Sequence, residues 1–382
     1  MTWAPPRVAA LLLAGGTLIR MAVDPSWVGD WNETGSILGV DGIFGATLGG
    51  TALALHGRRN VAPLRTLHLR APVTRVLRDL VLRSLGPALL AWALTALVAY
   101  VVTFAVNPAP SAPSVLPLLV STLGVLSTLT LGLLAGTALP IALALPLVIA
   151  AGFLVPASLG AIEPSRAATF TISTSTSLEV QFAPVTSLYV AQAAFFGALS
   201  IGSLLLLAVF VARARLLPAA LVAIAVAALA ATAVATAPTE RITDAAVTSS
   251  QRCAQESGVE VCLLSDHQRF LPAALSTAVR LHSALPSDAT PERYVEAGLH
   301  AEPGDAVLDP SGVRVDVLGE VVDASATWRL CEEPLGAERP LWLAHRAGLL
   351  DPLPDLDELK DVRDAPDADQ VAWWTAPMSP TC

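Results

Sequence analysis

Seven stretches of the chain are apolar for long enough to cross a bilayer as helices: roughly 6–23, 36–56, 80–106, 115–136, 138–158, 187–212 and 216–237. A spanning helix needs about 20 mostly apolar residues. After residue 237 the pattern changes. HQRFLPAALSTAVRLHSAL (267–285) has apolar positions at helical spacing, VRVDV (313–317) alternates as a strand does, and ADQVAWWTAP (368–377) carries two adjacent tryptophans. The expected architecture is a polytopic α-helical membrane protein with a transmembrane domain over 1–237, followed by a C-terminal α+β domain over 238–382. Arg7 ahead of the first apolar run also suits a signal peptide, but no small-residue cleavage site follows cleanly, so the segment reads as a retained span.

Composition agrees with the pattern: 54% of residues are hydrophobic, 14% are charged, and the mean hydropathy is +0.61. That is too apolar for an ordinary soluble chain. Charge separates the two parts. Residues 1–237 hold 12 Arg and Lys against 7 Asp and Glu, whereas 238–382 hold 11 against 25. An acidic C-terminal domain argues against nucleic acid or anionic lipid as its partner, since no basic patch offsets the phosphate charge. Lys360 is the sole lysine among many arginines, and with the abundance of alanine this composition points to a GC-rich, actinobacterial genome.

The arginines also predict orientation, because cytoplasmic loops collect them. The connector GRRNVAPLRTLHLRAPVTRVLRD (57–79) carries Arg58, Arg59, Arg65, Arg70, Arg75 and Arg78 against Asp79 alone, and Arg213 and Arg215 lie between the sixth and seventh segments. Placing both inside leaves Asp24, Asp30, Glu33, Glu163 and Glu179 outside with only Arg166, and sets Trp27 and Trp31 at an interface. The expectation is a multi-pass plasma-membrane protein with its N-terminus inside and its C-terminal domain outside. All four cysteines, Cys253, Cys262, Cys331 and Cys382, fall in that exported part, as suits an oxidising compartment. CAQESGVEVC reads as a hairpin closed by a Cys253–Cys262 bridge, with Cys331–Cys382 as the default second pair. Four cysteines allow three connectivities, and a metal site is the rival reading, weakened by the absence of CxxC spacing.

Candidate chemistry is sparse. No GxxxxGK[ST], HExxH or GxSxG occurs, so no catalytic, cofactor-binding or metal residue is assigned and no enzyme is expected. His267, His282, His300 and His345 read as surface or satisfied core residues, and the acidic run 351–369 reads as a solvated face without EF-hand spacing. Within the spans, Arg20 is expected to pair with Asp24 or Asp41, and Arg83 to reach the interface. Gly45 and Gly49 form a small-xxx-small pair that serves internal packing or an oligomer. Pro140 is expected to turn the chain between the fourth and fifth spans.

The Arg-rich connector after the second span, the closely linked pair of spans with Gly136 and Pro140 at their junction, and the six-helix core resemble the permease subunit of the type-two class of ABC exporters. The hairpin running into VCLLSDHQRFLPAAL (261–275) resembles an uncharacterised extracytoplasmic domain of actinobacterial permeases of that class, whose pattern is closer to VCVWPEH. Val261, Cys262 and His267 match it, while Leu264, Ser265 and Asp266 depart from it. The resemblance implies a subunit that forms a homodimer or heterodimer, recruits cytoplasmic P-loop ATPases and exports a substrate. It makes Arg58, Arg59, Arg65 and Arg70 the ATPase-coupling residues; the rival reading is that these arginines only fix topology and touch anionic membrane lipid. A second reading is a non-transporting membrane protein whose exported domain binds or senses a surface ligand. A membrane-embedded hydrolase has the least support.

Overall fold

The computed structural model describes residues 5–23, 27–29, 31–62, 75, 78–106, 115–160, 168–171, 182–212, 217–238, 242–244, 251–309, 316–328, 338–351, 359, 362 and 364–375. The chain divides into two units, Met1–Asp244 and Ala245–Cys382.

The first unit is a bundle of helices: α1 (Pro5–Val23), α2 (Trp31–His56), α3 (Gly86–Val106), α4 (Val115–Ala138), α5 (Ile141–Ile149, continued through a wider π turn to Gly160), α6 (Thr186–Ala212) and α7 (Leu217–Thr236). Among the described residues six of the expected spans form helices long and apolar enough to cross a membrane, and α7 contributes a shorter apolar stretch, Ile224–Thr236. The bundle is greasy outside and small or hydroxylated inside. On α3, Leu90, Leu94, Leu97, Val101 and Phe104 form an exposed apolar stripe at helical spacing, while Trp92, Thr95, Ala99 and Thr103 point inward. Such a large exposed apolar face has a place in lipid and none in water.

The interior is organised around α2, whose glycines line several faces. Gly45 and Gly49 face α1: Gly45 lies against the Leu13 carbonyl and Thr17, and a Cβ on Gly49 would meet the Ala9 carbonyl at 3.2 Å. The small-xxx-small pair therefore serves packing within the chain. On another face Gly50 and Ala54 press against Gly132 and Gly136 of α4 so closely that neither α4 glycine has room for a Cβ. Gly42 lies under the Trp92 ring of α3. Buried hydroxyls turn back on their own helices, Thr47 to the Ile43 carbonyl at 2.8 Å and Thr137 to that of Leu133 at 2.7 Å, so they leave few demands across the seams. Thr34 and Thr103 are an exception, joined between α2 and α3 at 2.6 Å.

At Leu139–Pro140 the chain turns between α4 and α5, as expected; Pro140 is the N-cap residue just ahead of α5, and its carbonyl accepts from the amides of Leu143 and Ala144. Gln192 of α6 donates to the carbonyls of Thr169 and Thr171 at 2.6 and 3.1 Å and so holds the 168–171 segment. A short antiparallel pair, β1 (Phe182–Pro184) with β2 (Ile242–Asp244), completes the unit.

The second unit opens with a hairpin. Strands β3 (Gln251–Glu256) and β4 (Val259–Leu264) pair antiparallel through the two-residue turn Ser257–Gly258, with φ of 50° and 85°. Positive φ at both positions is what a tight hairpin of native twist requires, and Gly258 meets it without steric cost. Helix α8 (Leu271–Ala284) leads on towards β5 (Arg293–Glu296), which lies parallel to β4, and β6 (Ala306–Leu308) lies parallel to β5. α8 buries Ala274, Thr277, Ala278 and Leu281, one stripe at helical spacing.

Helices α9 (Val317–Thr327), α10 (Glu338–Arg346) and α11 (Asp367–Thr375) follow. The strand expected at 313–317 does not extend to its end: Asp316 accepts a hydrogen bond from the Gly319 amide at 3.1 Å and caps α9, which starts at Val317. Residues 310–315 lie outside the described residues. Both tryptophans of the last helix join the core. Trp374 stacks on Trp342 at 5.5 Å, Arg339 lies 4.7 Å over the Trp373 ring, and its guanidinium donates to the carbonyls of Trp373 and Trp374. Tyr294 is sealed beneath, its hydroxyl 2.7 Å from Ser325, and burial pushes its pKa up to about 12.

The α2–α4 contact predicts a contrast between two glycines. Gly136→Ala forces backbone against backbone and is expected to cost about 1–3 kcal/mol or more. Gly15→Ala, where nothing lies within 4 Å of the new methyl, is expected to be neutral or to stabilise by up to about 1 kcal/mol. Thermal unfolding of the full chain in detergent distinguishes the two, and equal midpoints would refute the close-packed seam.

Candidate functional site

Three places carry polar chemistry worth weighing. The first is the end of the bundle where α2 stops and α3 begins. α2 runs on into a π turn, Gly57–Val61, and α3 is preceded by another, Leu80–Leu85. Wider π turns recur where helices serve a function rather than only packing. A bond between His56 and Ser84 at 3.3 Å ties the two ends together, and Asn60 reaches the other ring nitrogen of His56 at 3.0 Å. Arg58 and Arg59 point away from the bundle, exposed, as do Arg75 and Arg78. Arg83 is 82% exposed and lies 3.9 Å from Asp79, in keeping with a side chain that reaches away from the apolar core. Arg65 and Arg70, the other two expected coupling residues, lie outside the described residues.

The second is an ion pair between two helices of the bundle. Of the two partners expected for Arg20, Asp24 lies outside the described residues, and Asp41 stands beside it: Nε lies 3.4 Å from Oδ1, with Asp41 2% and Arg20 50% exposed. The pair joins α1 to α2. A buried carboxylate is costly unless a cation stands beside it. Near the same end of α2, Trp31 stacks on Tyr100 of α3 at 5.8 Å, and the Trp27 indole donates to the Met21 carbonyl at 3.0 Å.

The third is in the second unit and was not visible in the sequence. Glu296 ends β5 and is fully buried; its Oε2 accepts from the Leu264 amide at 2.7 Å, and its Oε1 is hydrogen-bonded to Nδ1 of His267, which is 1% exposed. One carboxylate thus joins the end of β4, the end of β5 and the short 3₁₀ turn Ser265–Phe270. The opposite nitrogen of His267 is buried with no hydrogen-bond partner among the described residues. A carboxylate on Nδ1 orients an imidazole for metal or proton chemistry in many sites. Here no other His, Cys, Asp or Glu joins them in a metal-binding group among the described residues, and the arrangement acts as a clamp. The spacing of 29 residues between the partners gives the sequence no signal for it.

The Cys253–Cys262 disulfide is present, across directly paired positions of β3 and β4. Glu260 lies close to both sulfurs, but sulfur committed to a disulfide is no thiolate ligand, and the rival metal reading fails for this pair. Cys331 and Cys382 lie outside the described residues. His282 meets Thr290 at 2.9 Å, His345 the Leu350 carbonyl at 2.9 Å, and His300 is exposed, so these three are surface or satisfied residues, as expected. Compared with protein-family models, with curated proteins and with solved structures, the chain matches none.

Two variants test these pairs. Arg20→Gln is expected to lower stability by about 1–2 kcal/mol, moderated by the exposure of Arg20, and Asp41→Asn added to it is expected to recover most of the loss; an additive double variant would deny the coupling. Glu296→Ala strands a buried imidazole and an amide and is expected to cost about 3–5 kcal/mol. The fluorescence of Trp342, Trp373 and Trp374 in a urea titration reports it, and an unchanged midpoint would show that the clamp is idle.

Proposed function

We propose that this chain is the membrane-spanning permease subunit of an ATP-driven ABC exporter, working with a separate cytoplasmic ATPase and pairing with a second permease subunit. The observation that carries the reading is the α2–α3 end: two helices tied by His56 and Ser84, finished by π turns, and presenting Arg58, Arg59, Arg75 and Arg78 outward. Exposed guanidiniums on a short connector form a docking face for an acidic surface of a partner. The chain has no phosphate-binding loop, so ATP hydrolysis comes from elsewhere. Carboxylates along the bundle are few, and the buried Asp41 has a cation beside it, which favours an external energy source over ion coupling.

In this reading the connector faces the cytoplasm, the N-terminus is inside, and the second unit lies outside, where its disulfide is stable. The alternative, a non-transporting surface-binding protein, draws on the second unit having its own core around Tyr294, Trp342 and Trp374, but leaves the outward arginines only topology and contact with anionic lipid as tasks.

Mild-detergent purification of the tagged chain from its native membranes, with mass spectrometry of what accompanies it, is expected to recover a P-loop ATPase in near-equal amount. The double variant Arg58→Glu and Arg59→Glu is expected to lose that partner while inserting normally. Recovery of the chain alone, or undiminished recovery of the ATPase with the double variant, would overturn the coupling role.

A further inference from the structure

The sheet of the second unit runs β3-β4-β5-β6, so β3 lies at its edge and, among the described residues, bonds to a neighbouring strand on one side only. An edge strand presents a row of free N–H and C=O groups that another strand can continue. The hairpin decides which residues present them. Its two-residue turn makes Glu256 and Val259 the hydrogen-bonded pair that closes the loop, and hydrogen-bonded and non-hydrogen-bonded pairs alternate from there along the ladder. Cys253 and Cys262 then fall at a non-hydrogen-bonded pair, and their Cα separation of 4.1 Å agrees with the close spacing of such pairs. Arg252, Ala254 and Glu256 therefore spend their backbone groups on β4, while Gln251, Cys253 and Gln255 turn theirs outward.

The strand pairs over its whole length without a bulge and contains no proline. Ala254 is half-buried and the rest of β3 is exposed. The Cys253–Cys262 bridge ties it to β4, so the edge is ordered before any partner arrives.

A second copy of the same strand suits this edge in one register. Antiparallel pairing about a two-fold axis can centre on any single residue of β3. Centring on Arg252 or Glu256 sets like charges face to face, and centring on Cys253 or Gln255 leaves both charges without an opposite. Centring on Ala254 brings Arg252 of each copy opposite Glu256 of the other, at non-hydrogen-bonded positions where side chains stand closest. The small Ala254 then meets its own copy at the axis, and Cys253 of one chain exchanges backbone hydrogen bonds with Gln255 of the other.

We propose that two copies of this chain join their second units edge to edge through β3, in the register centred on Ala254. Chains anchored in one bilayer meet at a raised effective concentration, which lets a contact of this size form. The contact uses the second unit alone and does not rest on the exporter reading.

The test is oxidative crosslinking of the full chain in its native membranes, read on non-reducing gels against the background given by the unaltered chain. Ala254→Cys is expected to form a disulfide-linked dimer. Arg252→Cys is not, because its two copies stand about 14 Å apart, whereas Arg252→Cys co-expressed with Glu256→Cys is. In the Ala254→Cys background, Arg252→Glu opposes like charges at both ends and is expected to cut the crosslinked fraction about tenfold; Glu256→Arg added to it is expected to restore it. Both positions are exposed, so the hairpin keeps its fold. The Arg58→Glu and Arg59→Glu variant is expected to leave the crosslink unchanged, so the ATPase reading and this one fail separately. Crosslinking of Ala254→Cys no greater than that of the unaltered chain or of Arg252→Cys, or a yield indifferent to the charge changes, would overturn the proposal.

Discussion

The approach of backbone to backbone along α2 is the constraint on which the membrane unit rests. Gly45 and Gly49 admit α1, Gly50 and Ala54 admit the glycines of α4, and Gly42 admits the Trp92 ring. In lipid the hydrophobic effect gives helices no reason to associate, since tails are as apolar as leucine, so close packing and hydrogen bonds must supply the attraction. A helix lined with glycine on several faces maximises contact where contact is the principal source of stability. The back-bonded threonines fit the same logic: they keep their hydroxyls satisfied within one helix and let the seams stay apolar and tight.

The second unit is held by different means, as its composition demands. It has a mixed sheet, amphipathic helices and a tryptophan cluster, so burial of apolar surface from water drives it. Its polar devices are local. A disulfide crosses the first hairpin, the Glu296 carboxylate joins three chain segments, and Arg339 lies across the last helix. Each fixes a place where chain segments meet, which apolar packing by itself specifies weakly.

Much of the helical architecture was legible in the sequence because a bilayer imposes length and apolarity together, and segments such as 80–106 and 187–212 satisfy both without ambiguity. The hairpin was legible for a local reason, Ser-Gly between two paired cysteines. At the end of VRVDV two signals competed: the segment alternates, yet its Asp316 caps a helix. The clamp of His267 on Glu296 was invisible because it joins residues far apart in sequence, and neither stands in a recognisable spacing. The arginine end was visible as charge, but its π turns and the His56–Ser84 tie were not, since nothing in the residue pattern distinguishes a π turn from an ordinary one.

The glycine seams have a consequence for motion. A side chain wedged between helices can change rotamer and settle in a new arrangement, but a glycine has no rotamer to change. The α1–α2–α4 seams therefore hold few side chains whose rearrangement could shift one helix against another. Freedom to rearrange lies where side chains interdigitate, as between α4 and α6 at Val120, Tyr189 and Phe196. Any alternation between two shapes of this bundle would hinge there, turning α6 against a core that keeps its form.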